Sequence, residues 1–219
     1  MRRARPISAS GWLIAVLLAA GASAESLGVV RYDADLASSR VVVEGTSTLH
    51  DWHVEGHHLG GSVMVRKEAL ASLWRMSGPS LHELAPTVRV EIPVTSLTSG
   101  KRGMDEQMHE ALKAATHPLI TYRLESAQIT ARQTAPADDA GDSLGLATTG
   151  VLTVAGGERA MDISMQVRRL SETRLEVSGG TSLRMTEFGI EPPRAMLGML
   201  RTGEEIHVRW TWVLVRRPS

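Results

Sequence analysis

Apolar and polar residues alternate along most of the chain. In TVRVEIPV, residues 87–94, Val88, Val90, Ile92 and Val94 fall on one face, and Thr87, Arg89, Glu91 and Pro93 on the other. The same period of two sets Met161, Ile163, Met165 and Val167 against Asp162, Ser164, Gln166 and Arg168. It also sets Ile206, Val208, Trp210, Trp212 and Leu214 against His207, Arg209 and Thr211. Weaker versions run through Ile120, Tyr122 and Leu124, through Leu175 and Val177, and through Leu183 and Met185. Repeated alternation of this kind predicts antiparallel strands with one dry and one wet face. Candidate strands lie near 27–33, 40–46, 49–57, 61–66, 86–95, 119–130, 145–155, 160–170, 173–186 and 204–216, about eight to ten in all. An all-β sandwich or a closed barrel follows, and periodicity alone does not choose between them.

One segment breaks the alternation. In MDEQMHEALKAATHP, residues 104–118, Met104, Met108, Ala111, Leu112 and Ala115 recur at helical spacing. Asp105 and Glu106 sit in the first turn, where the helix dipole favours them, and Pro118 prevents continuation. This predicts an amphipathic helix laid against the sheet. A weaker helical stretch runs from Lys67 to Met76, with Ala69, Leu70, Leu73 and Trp74 on one face. Residues 132–143, RQTAPADDAGDS, read as a solvated loop between strands, with no domain boundary in them.

The N-terminus follows a different logic. Arg2, Arg3 and Arg5 form a basic region, Trp12 to Ala20 an apolar core, and Ala22-Ser23-Ala24 a small-residue cleavage site. That order is the signature of a secretory signal peptide, too short in its apolar part to remain as a spanning helix. The mature chain is therefore expected to be a single domain, residues 25–219, periplasmic or secreted and soluble. Its formal charge moves from zero, with 24 basic and 24 acidic residues, to −3, because three arginines leave with the signal. A mildly acidic surface with scattered basic residues excludes a nucleic-acid partner. The chain has no cysteine, which leaves neither a disulfide framework nor a lipid-modified N-terminus. An exported domain of this kind must be held by its own core.

Candidate chemistry concentrates in STLHDWHVEGHH, residues 47–58, where His50, His53, His57 and His58 crowd together. Along a strand, however, His50, Trp52 and Val54 point one way and Asp51, His53 and Glu55 the other. Crowding in sequence then does not become convergence on one ion, and the spacing matches no recurrent zinc signature. Met104, Met108, Met196 and Met199 invite a copper(I) reading, but methionines on an apolar helical face serve more often as core filler. Catalysis finds no cysteine nucleophile and no glycine-flanked serine elbow, and alternation separates His50 from Asp51. Glu204 and Glu205, at the start of a strand, read as solvated charges. The chain is expected to be no enzyme and to hold no resident cofactor or metal. The alternative from another class is a haem- or metal-linked periplasmic redox or stress protein using His50 and the methionines.

Four stretches, in order, resemble a known family: GTSTLHDWHVEG (45–56), VEIPVTSLTSGKRGMDEQMHEALKAATHPLITYRL (90–124), GVLTVAG (150–156) and LRMTEFGIEPPRAMLGMLRTGEEIHV (183–208). They are similar to the YceI-like family of exported polyisoprenoid-binding proteins, over essentially the whole mature chain. STLHDW and EPPRAMLG look like one branch, since the family's usual sequence around the first motif differs. The resemblance implies an extended, lipocalin-like antiparallel β-barrel of about eight strands, with one amphipathic helix covering it and an apolar cavity inside. It also implies a non-catalytic function, the holding of an isoprenoid or other long-chain lipid. Transient membrane contact and a homodimer are compatible with that function.

On this reading the candidate ligand-contacting residues are His50, Trp52, Met104, Met108, Leu112, Phe188, Met196 and Met199. Met104, Met108 and Leu112 either touch the ligand or plug the barrel end. Phe188, Ile190, Met196, Leu197 and Met199 form either a mouth for the ligand or a folded-in plug, and the mouth is the favoured alternative. An inward even-numbered face in residues 50–54 would make Trp52 cavity wall and His50 a polar contact at the rim. An outward one would bury Asp51, which would then need a partner, so the inward orientation is expected. Burial of a long aliphatic chain, at about 25 cal/mol per Å², needs few directed polar contacts, in keeping with the scarcity of convergent charges.

Overall fold

The long C-terminal strand sets the architecture. The computed structural model describes residues 28–74, 86–133, 141–195 and 200–218. In it, β12 (Leu200–Arg216) pairs along one edge with β10 (Arg174–Arg184), from Glu205 to Val215. Its other edge is shared between two partners. β2 (Arg40–Ser47) takes Thr202 to Thr211, and β1 (Val29–Ala34) takes Leu214 to Arg216. From β1 the sheet continues through β4 (Gly60–Arg66), β5 (Thr87–Pro93), β7 (Leu119–Gln133), β8 (Ser143–Val154) and β9 (Gly157–Arg169) to β10. Every pairing is antiparallel, so eight strands close on themselves as a barrel. At the opposite end β2, β3 (Trp52–Gly56) and the two-residue β6 (Leu97–Thr98) extend the wall beside β12. The two-residue β11 (Arg194–Ala195) pairs with the start of β12.

The switch of partner along β12 leaves Val213 between β2 and β1. Ser39, 2 % exposed, fills the gap. Its Oγ accepts from the Val213 N–H (2.9 Å) and donates to the Val213 carbonyl (3.3 Å), while the Asp35 N–H donates to the same carbonyl (2.8 Å). Buried backbone groups at a divergence of strands need such partners.

All ten strands expected from alternation are present, and the predicted dry faces point inward. Ile163, Leu175, Val177, Leu183, Trp212 and Leu214 are buried, whereas Val88, Val90, Ile92, Met165 and Val208 are only half-buried. The second group faces the same interior as the first. Its residual exposure is to a void inside the barrel, which settles the sandwich-or-barrel question: a packed sandwich core leaves no such void.

Two helices close the ends. α1 (Lys67–Leu73) presents Leu70 and Leu73 to the core near β1 and β4, and the Arg132 guanidinium donates to the Leu73 carbonyl. It ends before the expected Met76, which lies outside the described residues. α2 (Arg102–Ala111) starts two residues before the expected Met104 and stops well short of Pro118. Leu112 is its C-cap and Lys113 takes φ 54°, so the chain leaves helical geometry there and Ala115 is exposed on a turn. The helical spacing of Ala115 was therefore fortuitous. In the expected loop 132–143, β7 continues to Gln133 and β8 starts at Ser143, while residues 134–140 lie outside the described residues. The expected signal segment, residues 1–24, also lies outside them.

Candidate ligand-binding channel

α2 is held down by one carboxylate. No side chain caps its first residue; instead Asp105, in the first turn, reaches back to the strand end. Its carboxylate accepts from the Ser99 hydroxyl (2.6 Å), the Ser99 N–H (2.7 Å) and the Thr98 hydroxyl (2.7 Å). The Ser99 hydroxyl is the chief cause that holds the Asp105 pKa below the ordinary aspartate value, with the Ser99 N–H and the Thr98 hydroxyl adding to it. One turn on, a His109 ring nitrogen lies 2.9 Å from the Leu97 carbonyl oxygen. So fixed, α2 turns Met104, Met108, Ala111 and Leu112 toward the barrel end.

Across from α2, the 3₁₀ turn Met185–Phe188 folds inward, ended by Gly189 at φ 68°. It can do so because Gly157, at the start of β9, carries no side chain: a Cβ there would lie 2.8 Å from the Phe188 carbonyl oxygen. Phe188 and Ile190 are 4 % and 6 % exposed and pack with Val154, Ala155 and Leu183. Of the segment expected to form a mouth, only Phe188 and Ile190 lie among the described residues. Phe188 and Ile190 are folded in and form wall, because burial of two large apolar side chains outweighs leaving them at a water-facing rim. Met196 and Met199 lie outside the described residues.

Between these elements is a cavity of about 360 Å³, lined by His50, Trp52, Met104, Met108, Leu112 and Phe188 among others. All six of the described candidate residues thus share one space. Its wall is apolar apart from Ser47, His50, Gln107, Arg184, Arg201 and Thr202, with no carboxylate among the described lining residues. The even-numbered face of residues 50–54 is inward, as expected. Trp52 is half-buried against the cavity and Val54 is 1 % exposed, while Asp51, His53 and Glu55 face solvent. His50 and Leu49 are exposed yet border the cavity, which places its rim at the turn 47–50. Ser47 shapes that turn: its Oγ donates to the His50 carbonyl (2.7 Å) and accepts from the His50 N–H (3.3 Å).

His53, His57 and His58 are exposed and separate from His50, and His57 stands 3.4 Å from Glu55. Among the described residues, no three of His, Asp or Glu come together in an arrangement that could hold a metal ion.

A second cavity of about 230 Å³ lies further along the axis, closed at its end by Leu70, Leu73 and Pro86. Its polar groups are Tyr32, Tyr122, Thr148, Thr181 and the two indoles of Trp210 and Trp212, with no charged side chain among the described lining residues. Burial pushes the phenols of Tyr32 and Tyr122 up, against the opposing effects of Arg216 and of a hydrogen bond with Thr148, so both are neutral at physiological pH. Sequence reasoning named no ligand contact here, although the alternation had already turned Tyr122, Trp210 and Trp212 inward. Alternation reports which face is dry and is silent on whether that face meets a neighbour or a void.

A family model described as the YceI-like domain matches residues 32–214. Among solved structures, a polyisoprenoid binding domain from Saccharophagus degradans, implicated in plant cell wall breakdown, is similar. It shows a TM-score of 0.61 at 14 % identity and covers 85 % of this chain and 98 % of its own. Burkholderia cenocepacia BcnA is similar with a TM-score of 0.58 at 16 % identity, over 83 % of this chain and 99 % of its own. At these identities the likeness is one of fold. No curated protein matches the sequence.

Proposed function

This chain belongs to the YceI-like domain family, and on that premise we propose that it is a non-catalytic carrier that holds an isoprenoid-type or similar long-chain amphiphile inside its barrel. The observation that supports this most is the cavity itself. It opens at the turn 47–50, is apolar over nearly all of its lining, and its volume of about 360 Å³ falls within the roughly 300–1,000 Å³ of ligand pockets. The name of the Saccharophagus degradans relative, a polyisoprenoid binding domain, points the same way.

The distribution of polar groups gives the ligand an orientation. Among the described residues, charged and amide side chains border the first cavity and not the second, so a polar head rests at the open rim by the turn 47–50 and the apolar tail runs inward. His50 meets the head, and Trp52, Phe188, Met104 and Met108 of α2 and its C-cap Leu112 meet the tail. The carrier works after export: residues 1–24 are removed, the mature chain begins at Glu25, and the domain acts in the periplasm or outside the cell. It meets its lipid by transient contact with a membrane surface.

Native purification from the organism's own envelope fraction, followed by mass spectrometry, tests this. A stoichiometric lipid with a long apolar tail is the expected result, on a chain whose intact mass begins at Glu25. A chain that carries no lipid, and takes up none when prenols, quinones or fatty acids are added, would overturn it.

A further inference from the structure

The wall has a seam on one side. β12 divides one of its edges between β2 and β1. The β1 branch runs on through β4 and β5 to β7, whereas the β2 branch ends after β3 and the two residues of β6. Among the described residues, no backbone ladder joins β3 or β6 to β5 or β7. Only the chain itself passes from β5 to β6, through the 3₁₀ turn Val94–Ser96. β6 meets β3 at Glu55 and Gly56 alone, so among the described residues Trp52, His53 and Val54 have a strand on one edge only.

α2 lies over this seam. Met104, Met108 and the C-cap Leu112 pack into the apolar cluster built on Val41, Val54 and Leu97, and Ile92 of β5 and Ile120 of β7 pack into the same cluster. Side chains, and no ladder, hold the two branches together at this level.

We propose that α2 is a hinged lid over a lateral portal, and that ligands enter and leave the barrel sideways between β3 and β5 when the lid swings out. The inference rests on the reading of the protein as a lipid carrier and adds to it the route into the cavity and the element that controls that route.

Three observations carry it. First, no residue of α2 is fully buried. Its own hydrogen bonds travel with it, so lifting the helix costs less than lifting a wall strand, whose backbone groups would lose their partners. Second, each end carries a hinge. Gly100 precedes the helix at φ 74°, with no atom within 4 Å of the place a Cβ would take, and Lys113 follows it at φ 54°. Sparsely populated backbone conformations of this kind cluster at segments that switch, and hinges sit at the ends of elements. The far side of the second hinge is anchored. The Lys113 ammonium donates to the Ala155 carbonyl (3.5 Å), and the His117 ring fills the space beside Gly156, where a Cβ would stand 2.6 Å from the ring carbon Cε1. Third, a latch crosses the first hinge. Thr98 and Ser99 come before Gly100 and Asp105 after it, so the hydrogen bonds that these residues give to the Asp105 carboxylate hold only while the lid is shut. The approach of His109 to the Leu97 carbonyl oxygen depends on closure in the same way. The rest of the closure is apolar packing that includes flexible methionines, which tolerate rearrangement. Sideways passage also suits an amphiphile. A tail that slips through a slot is not drawn end-on through water, where each exposed methylene slows transfer by about fourfold.

The chain has no cysteine, so introduced ones can lock the lid or follow it. Thr98→Cys with Asp105→Cys replaces the latch by a disulfide that dithiothreitol opens. In the oxidised protein, uptake and release of a fluorescent long-chain fatty acid in stopped flow should slow by roughly tenfold or more and recover on reduction. In Asp105→Ala both rates should rise roughly five- to tenfold with Kd nearly unchanged, because a lid governs passage in both directions, whereas damage to the cavity would weaken binding. Spin labels on Glu106→Cys of α2 and Arg89→Cys of β5 read the lid without any ligand. One distance is expected with the latch intact, and a second, longer one once Asp105→Ala is added. A single unchanged distance, or exchange rates that are equal in the oxidised, reduced and Asp105→Ala proteins, would overturn the lid while lipid binding and the carrier reading stand. A protein that takes up no lipid although the second distance is present would sink the carrier reading, and the portal with it, so the two failures are distinct.

Discussion

The indole of Trp52 lies over Gly45, its cross-strand partner in the β2–β3 pair. A Cβ at Gly45 would stand 2.3 Å from the ring carbon Cζ2, and the indole Nε1 donates to the Thr46 carbonyl (3.1 Å). The ring is thereby folded along the wall instead of projecting across the cavity, and the glycine is what makes room for it. The pattern recurs deeper in the channel, where Trp210 lies over its partner Gly179 and Tyr122 over Gly150. Each aromatic covers a gap in the wall and spares the void.

Gly45→Val should displace the indole into the cavity beside α2. Overpacking of this kind costs about 1–3 kcal/mol, and the displaced ring also takes up ligand space. The expected outcome is a lowered melting temperature together with weaker lipid binding, and Trp52→Ala in the same background should restore binding in part. Unchanged affinity for both short and long tails would mean that Trp52 does not border the occupied volume.

Met108→Glu places a carboxylate on the cavity face of α2, where the surroundings are apolar. Burying an unpaired charge there is costly, so lipid affinity should fall at least tenfold while the exposed control Gln128→Glu leaves it unchanged. Titration with a fluorescent long-chain lipid reads the difference. Wild-type affinity in the charged variant would show that the helix face does not touch the ligand.

Asp105 gives a pH signature. Its folded-state pKa is lowered, chiefly by the Ser99 hydroxyl, so its stabilising effect is fully present above the ordinary aspartate value of about 3.9 and is lost as pH falls through the lowered folded value. Asp105→Asn should be less stable than the wild type at neutral pH by about 1 kcal/mol, a figure kept small because the carboxylate is partly in water. Below pH ~4 the two melting temperatures should converge. A constant gap down to strongly acidic pH would contradict the assignment of that stability to the charged carboxylate.

Ser39→Ala removes the hydroxyl that serves both backbone groups of Val213. The Val213 carbonyl keeps the Asp35 N–H, but its own N–H is left buried without a partner, at a cost of about 1–3 kcal/mol. Denaturant unfolding should show that loss, and hydrogen exchange should show β1 and the centre of β12 opening more often. Ser39→Thr, which keeps the hydroxyl, should retain more stability than Ser39→Ala. Equal stability of Ser39→Ala and the wild type would mean that water replaces the hydroxyl.

Much of the wall is legible in the residues alone. Alternation found ten strands and their inward faces, because a strand between water and an apolar interior must alternate to satisfy both. It also put Trp52 and His50 on one side and Asp51 and His53 on the other. The helix was found by its spacing but ended too late, because Leu112 and Ala115 continue the pattern while Lys113 leaves the helical region of backbone space. The inward fold of Phe188 and Ile190 was not legible for a related reason: they suit a rim and a core equally in composition, and the bare Gly157 opposite them, remote in sequence, lets the turn close inward.

What the sequence determined by itself is the set of strands, their dry face, the position of the covering helix and, through four ordered motifs, a family. These are local properties, set by side-chain period, by breakers and by short motifs. What only the tertiary structure decided is how that dry face is used. Closure of β12 onto both β1 and β2, the fit of three aromatics over three glycines, and the lining of both cavities by Val41, Ile92, Leu152, Leu183 and Val208 depend on residues distant in the chain meeting in space. A void is the place where no residue stands, and no pattern along one strand can show what the opposite wall leaves empty.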